Sequence, residues 1–200
     1  MTFDESGLYT VTLNVTNNTS GLSNSSTQTI SVRNPGITAM MWIEHDGWFE
    51  KVKKEYHYPS FDAYNYLYSD YKWKFAGESS TNKVNNNKYN LEFNLGSSSG
   101  SVQETDVILN ANTWYHVTGT FEESRRSIFT FDYLHIYING SIEGTSTTFS
   151  SLAYTDEGVF YFDNTSHFNY DSNLSYNIPF AMTEAEIHNV YDDENLDGHP

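Results

Sequence analysis

The chain has 200 residues, 26 acidic against 10 basic side chains for a net charge of −16, no cysteine, and 16 Tyr, 13 Phe and 4 Trp. Such a field repels phosphate backbones and anionic headgroups, so nucleic acid and membrane surfaces are poor partners, and the missing thiol excludes disulfides, zinc–thiolate sites and cysteine nucleophiles. No apolar run approaches the roughly 20 residues of a membrane span, and the opening lacks the basic start and apolar stretch of a secretory signal, so no membrane insertion is expected and the chain reads as excised from a longer protein.

Alternation with a period of two dominates the sequence from its start. Tyr9, Val11, Leu13 and Val15 share one strand face with Thr10, Thr12 and Asn14 opposite, and Thr27 to Val32 alternates again after a polar loop. Two such strands make a hairpin that cannot bury its apolar face alone, so those four side chains are expected to lie against another layer. Asn34-Pro35-Gly36 ends this segment.

Ile37 to Ile43 is an apolar strand candidate, followed by an Asp46-Gly47 turn signal and a second strand from Trp48 to Val52. Between Tyr56 and Phe75 aromatics crowd together: Tyr64, Tyr66 and Tyr68 alternate, then Tyr71, Trp73 and Phe75 with Lys72 and Lys74 opposite. Strands at Tyr89 to Leu95, Val107 to Leu109 and Trp114 to Phe121 follow. Leu134, Ile136 and Ile138 then point inward and lead into Asn139-Gly140, a strong signal for a two-residue hairpin. Val159 to Phe162 and Leu174 to Met182 supply further strands, the latter at an edge because Pro179 cannot donate to a ladder. Thr183-Glu-Ala-Glu186 is a capping box that opens a short helix with Ile187, Val190 and Tyr191 facing the sheet. The pattern is all-β: an antiparallel jelly-roll sandwich with an N-terminal β-hairpin and a short C-terminal helix.

Two resemblances sharpen this. Phe3, Gly7, Tyr9, Val11, Thr12, Leu13, Val15, Asn17, Thr29, Ile30 and Val32 resemble the last strands of a PKD-type (polycystic kidney disease repeat) domain, about a third of one, over 1–34. Gly47-Trp48-Phe49-Glu50-Lys51, Asn112-Thr-Trp114-Tyr-His116-Val117-Thr-Gly119-Thr-Phe121, Leu134-His-Ile136-Tyr-Ile138-Asn139-Gly140 and Met182-Thr-Glu-Ala-Glu186-Ile187 resemble a laminin-G-like jelly roll of the concanavalin A-like type, over 35–192. Residues 193–200 form an acidic tail. These resemblances imply an extracellular, cell-surface module that binds glycan or protein without catalysis. A structural subunit that self-assembles through strand addition at the N-terminal hairpin is the alternative, and a glycoside hydrolase the weaker one.

Candidate site residues follow from the chemistry. Aromatic rings stack on the apolar faces of sugars, which makes Tyr64, Tyr66, Tyr68 and Trp73 a candidate binding platform. For Trp73 the flanking lysines favour core packing instead, and for the three tyrosines both readings stand. Glu44, Asp46 and Glu50 are the nearest thing to a glycosidase carboxylate pair, but the Asp46-Gly47 turn interrupts their shared face. Gly96-Ser-Ser98-Ser-Gly100 has the nucleophile-elbow pattern without its strand and helix context. His116 belongs to the strand motif, while His45 and His57 read as solvated loop residues. Asp193, Asn195 and Asp197 before Gly198 fit the first half of a calcium loop; the distal bidentate carboxylate is missing, which favours a solvated acidic tail over a calcium site. Sequons at Asn14, Asn17, Asn18, Asn24, Asn139, Asn164 and Asn173 are candidate glycosylation positions.

Overall fold

The computed structural model describes residues 7–33, 35–48, 50–52, 55–57, 61–67, 70–79, 88–96, 101–123, 132–148, 159–163 and 166–196. They form two compact units, Met1–Asn34 and Pro35–Pro200.

The first unit is a hairpin of β1 (Gly7–Thr16) and β2 (Ser23–Val32), paired without a bulge from Gly7↔Val32 to Thr16↔Ser23. Gly21, at φ 69°, supplies the left-handed residue of its loop. The Asn17 Oδ1 accepts from Thr19 N and Ser20 N at 2.8 and 3.1 Å. On its apolar face Tyr9 and Val11 are half-buried, and Leu13 and Val15 are 64% and 59% exposed. Each strand has one partner, so among the described residues of this unit no layer covers this face.

The second unit is an antiparallel sandwich. Its strands are β3 (Gly36–His45), β4 (Glu50–Val52), β5 (Glu55–His57), β6 (Phe61–Leu67), β7 (Asp70–Ser79), β8 (Lys88–Leu95) and β9 (Ser101–Ile108). After these come β10 (Tyr115–Glu122), β11 (Asp132–Ile138), β12 (Ser141–Thr148), β13 (Val159–Asp163), β14 (Phe168–Tyr170) and β15 (Tyr176–Ile178), and the helix α1 (Glu184–Leu196) closes the series. One sheet runs β12-β11-β10-β3-β14, with β15 also on β3; the other runs β13-β6-β7-β8-β9; β4 and β5 pair separately.

Between the two large sheets lies a core of alternate side chains: Ile37, Ala39, Met41 and Ile43 from β3, Val117 and Phe121 from β10, Leu134, Ile136 and Ile138 from β11, and Trp73, Leu91, Phe93 and Leu95 opposite. Asn139 and Gly140 have φ of 49° and 77° between Ile138 and Ser141, so the turn is the two-residue kind whose twist suits a hairpin. Gly119 has a different purpose. A Cβ there would lie 2.3 Å from the Phe93 ring, so the missing side chain is the space Phe93 fills.

The strand expected over Leu174 to Met182 is shorter. A 3₁₀ turn at Ser172–Leu174 precedes β15, capped by the Asp171 carboxylate accepting from Asn173 N at 2.8 Å, and β15 stops before Pro179. The capping box forms as read: Glu186 N donates to Thr183 Oγ1 and Glu186 Oε2 accepts from Thr183 N at 3.0 Å.

Ile136 is fully buried, so Ile136→Ala should cost about 2–5 kcal/mol in urea unfolding. Gly119→Ala should destabilise by about 1–3 kcal/mol through overpacking, and Phe93→Leu introduced with it should recover part of that loss. An additive double variant would show that the two positions do not compete for space.

Candidate functional site

β3, like β10 beside it, is covered on both faces. Its outward row runs Thr38, Met40, Trp42, Glu44 and then Asp46 beyond the strand. Thr38 donates through Oγ1 to Phe180 O and accepts from Met182 N, each at 2.9 Å. Trp42 is capped by α1: its Nε1 donates to Glu194 Oε2, and its ring stacks on Tyr191 at 5.8 Å. His116, across from Trp42 on β10, packs on the same two rings. Cover thins at Glu44, which is half-buried, and ends at Asp46.

The turn beyond β3 is built from the inside. His45 points into the core, 1% exposed, which corrects its reading as a solvated loop residue. Its Nδ1 accepts from Gly47 N at 3.1 Å, so Nε2 carries the proton that it donates to Leu109 O at 2.7 Å. Asn112 N donates to His45 O at 2.7 Å. Gly47 turns the chain at φ 79°, against Ala111.

Outside this anchored turn four polar groups and one indole share a face. Asp46 Oδ1 accepts from Trp48 N at 2.8 Å, and Asp46 Oδ2 accepts from His167 Nδ1 at 3.0 Å. The Trp48 and His167 rings stack at 4.3 Å with planes 8° apart. Asn169, paired with Glu44 in the β14–β3 ladder, donates from Nδ2 to Glu44 Oε2 at 3.0 Å. Trp48 remains 45% exposed. One face of its ring rests on His167, and the exposed remainder is a flat apolar surface near the Asp46 carboxylate. Asp46 is held below its ordinary carboxylate range, first by the His167 hydrogen bond and then by the Trp48 N–H.

The sites expected from sequence fare differently. Trp73 is fully buried, stacks near Phe93 and donates from Nε1 to Asn177 Oδ1 at 3.1 Å, so it belongs to the core and not to a surface platform. Alternation on β7 explains this, since Lys74 is partly exposed and paired with Asp62 at 3.0 Å. Tyr64 and Tyr66 lie on β6 in register with Lys74 and Tyr71, and Tyr68 lies outside the described residues. Glu50 starts β4, beyond the turn, so it does not continue the Glu44 and Asp46 row.

The acidic stretch weighed as the start of a calcium loop begins within the helix. Asp193 and Asn195 lie inside α1, and Asp197 lies outside the described residues. Among the described residues no group of three or more His, Cys, Asp or Glu is placed to hold a metal ion. Asn14, Asn17, Asn18, Asn24 and Asn173 are exposed, Asn164 lies outside the described residues, and Asn139 is half-buried in the hairpin turn with its Oδ1 accepting from His116 N at 3.0 Å.

With the sandwich in view, comparison with known proteins is decisive at one level. The profile of the Concanavalin A-like lectin/glucanases superfamily matches residues 18–190. The chain belongs to this superfamily. No curated protein matches the chain in sequence. Solved structures that resemble this domain include the native heptameric SAP-like pentraxin from Limulus polyphemus and the CBM2 module of the evolved Dit of Lactobacillus casei BL23 phage J-1. The first is 13% identical over 80% of this chain and 72% of that one, with a TM-score of 0.46. The second is 8% identical over 87% and 70%, with a TM-score of 0.32. At these scores neither bears on the ligand or assembly of this superfamily member.

The Asp46 carboxyl should titrate below an exposed aspartate, whose pKa is about 3.9. Because its folded value is lowered, the stabilisation it gives the turn is present above the unfolded pKa and is lost as pH falls through the folded value. Following the Asp46 carboxyl carbon by NMR in acid should show this, and His167→Ala should return the midpoint toward the ordinary value. An unchanged midpoint would remove His167 as the main cause.

Proposed function

We propose that this domain is an extracellular, non-catalytic adhesion module that binds glycan, with Trp48 as its stacking platform. The observation that carries the reading is an indole 45% exposed yet locked in place, with His167 under one face and Asp46 fixing both partners. A preformed ring loses little freedom when a sugar settles on it, and the polar groups beside it can orient hydroxyls. Membership of a superfamily of lectins and glucanases supports this class of ligand without choosing between binding and hydrolysis. Against hydrolysis, both Asp46 oxygens already accept hydrogen bonds, which leaves that carboxyl poorly set up as a proton donor.

A second reading draws on the hairpin. Leu13 and Val15 are exposed on a bulge-free pair of ten-residue strands. Strand addition or face packing with another surface subunit would cover them.

A glycan array followed by affinity electrophoresis tests the first reading. Trp48→Ala should weaken retention by about thirtyfold or more, as for a central aromatic anchor, while changing unfolding stability by no more than about 0.5 kcal/mol. Retention that survives the substitution would place the ligand elsewhere. Release of reducing ends from a β-glucan, lost in Glu44→Gln or Asp46→Asn, would replace the binding module with a hydrolase.

A further inference from the structure

We infer that the Trp48 site selects ligands that donate hydrogen bonds, and takes sugars with free amino groups in preference to N-acetylated or carboxylated ones. The inference rests on the reading of Trp48 as a glycan platform and concerns which glycans that platform accepts.

Donors and acceptors on one face set the preference. A carboxylate only accepts, so the 3.0 Å contact between Asp46 Oδ2 and His167 Nδ1 places the ring proton on Nδ1. Asn169 uses one Nδ2 proton on Glu44 Oε2, leaving its carbonyl oxygen and a single N–H. Each oxygen of Glu44 and Asp46 keeps a further lone pair beyond the bonds described. The two carboxylates and the Asn169 carbonyl therefore offer acceptors against one amide donor. The charge of this face is negative through Glu44 and Asp46, and among the described residues the basic side chain bonded to Asp46 is His167, not Lys or Arg.

A sugar hydroxyl both donates and accepts, so neutral pyranoses satisfy part of this demand. An ammonium group donates three protons, accepts none, and makes charge-assisted bonds to carboxylates. N-acetylation replaces it with one donor and a carbonyl acceptor. A uronate carboxylate brings acceptors and like charge to a site that already has both.

The experiment titrates the full chain with glucosamine, N-acetylglucosamine and galacturonic acid pentasaccharides by calorimetry. Salt is held near 0.15 M, where the Debye length of about 8 Å limits attraction by the distant acidic surface. The amine oligomer should bind about tenfold or more tighter than the N-acetylated one, and the galacturonate weakest. Glu44→Gln should shrink the amine preference toward parity, and Trp48→Ala should lose all three ligands. Equal or reversed preference through Trp48 would overturn this inference alone. An amine preference that persists in Trp48→Ala would also overturn it, by assigning the attraction to diffuse charge. Failure of the unaltered chain to bind any oligosaccharide would take down the glycan reading and this inference together.

Discussion

Most of the architecture follows from β3 having no solvent-facing side along most of its length. Its inner row of Ile37, Ala39, Met41 and Ile43 forms one wall of the core, and its outer row includes Met40 and Trp42, both buried as well. A strand that is apolar on both faces must be central and covered twice. β10 takes one edge, β14 and β15 share the other in succession, and α1 lies over Trp42 with Tyr191 and Glu194. The candidate site lies where this cover stops, since the same outward row continues into Glu44 and Asp46 beyond the helix.

That position explains how a loop can be rigid enough to recognise a ligand. The turn after β3 is tied to the core by His45, whose ring bonds reach Leu109 on one side and Gly47 on the other. Asp46 then fixes the backbone at Trp48 and the ring of His167 from outside. The exposed indole is held by a buried histidine two positions before the glycine that turns the chain, and the glycan and donor-selectivity proposals both depend on this inner anchor.

Where structure depends on local pattern, the sequence was readable. Alternation placed Leu134, Ile136 and Ile138 inside, Asn139-Gly140 made the hairpin, and Thr183 with Glu186 capped the helix. Lys74 opposite Trp73 correctly favoured the core for that ring. The site was not legible because its parts are distant: Asp46 and His167 lie 121 residues apart, and no local signal links them. Trp48 read as the start of a strand, although Gly47 and the Asp46 bond hold it before β4. His45 looked solvated because a polar residue beside an Asp-Gly turn usually is, and only the Leu109 carbonyl opposite it makes burial favourable. Asp193 and Asn195 matched a loop spacing, but the helix begun by the capping box runs through them to Leu196.

The central claim, that ligand meets this domain on the Trp48 ring, is open to one direct observation. The chain has four tryptophans, and each indole N–H gives its own NMR signal. Titration with a neutral oligosaccharide retained in affinity electrophoresis should move the Trp48 indole resonance, while those of buried Trp42 and Trp73 stay in place. Saturation with no change at Trp48, or with the largest changes on β6 around Tyr64 and Tyr66, would contradict the account.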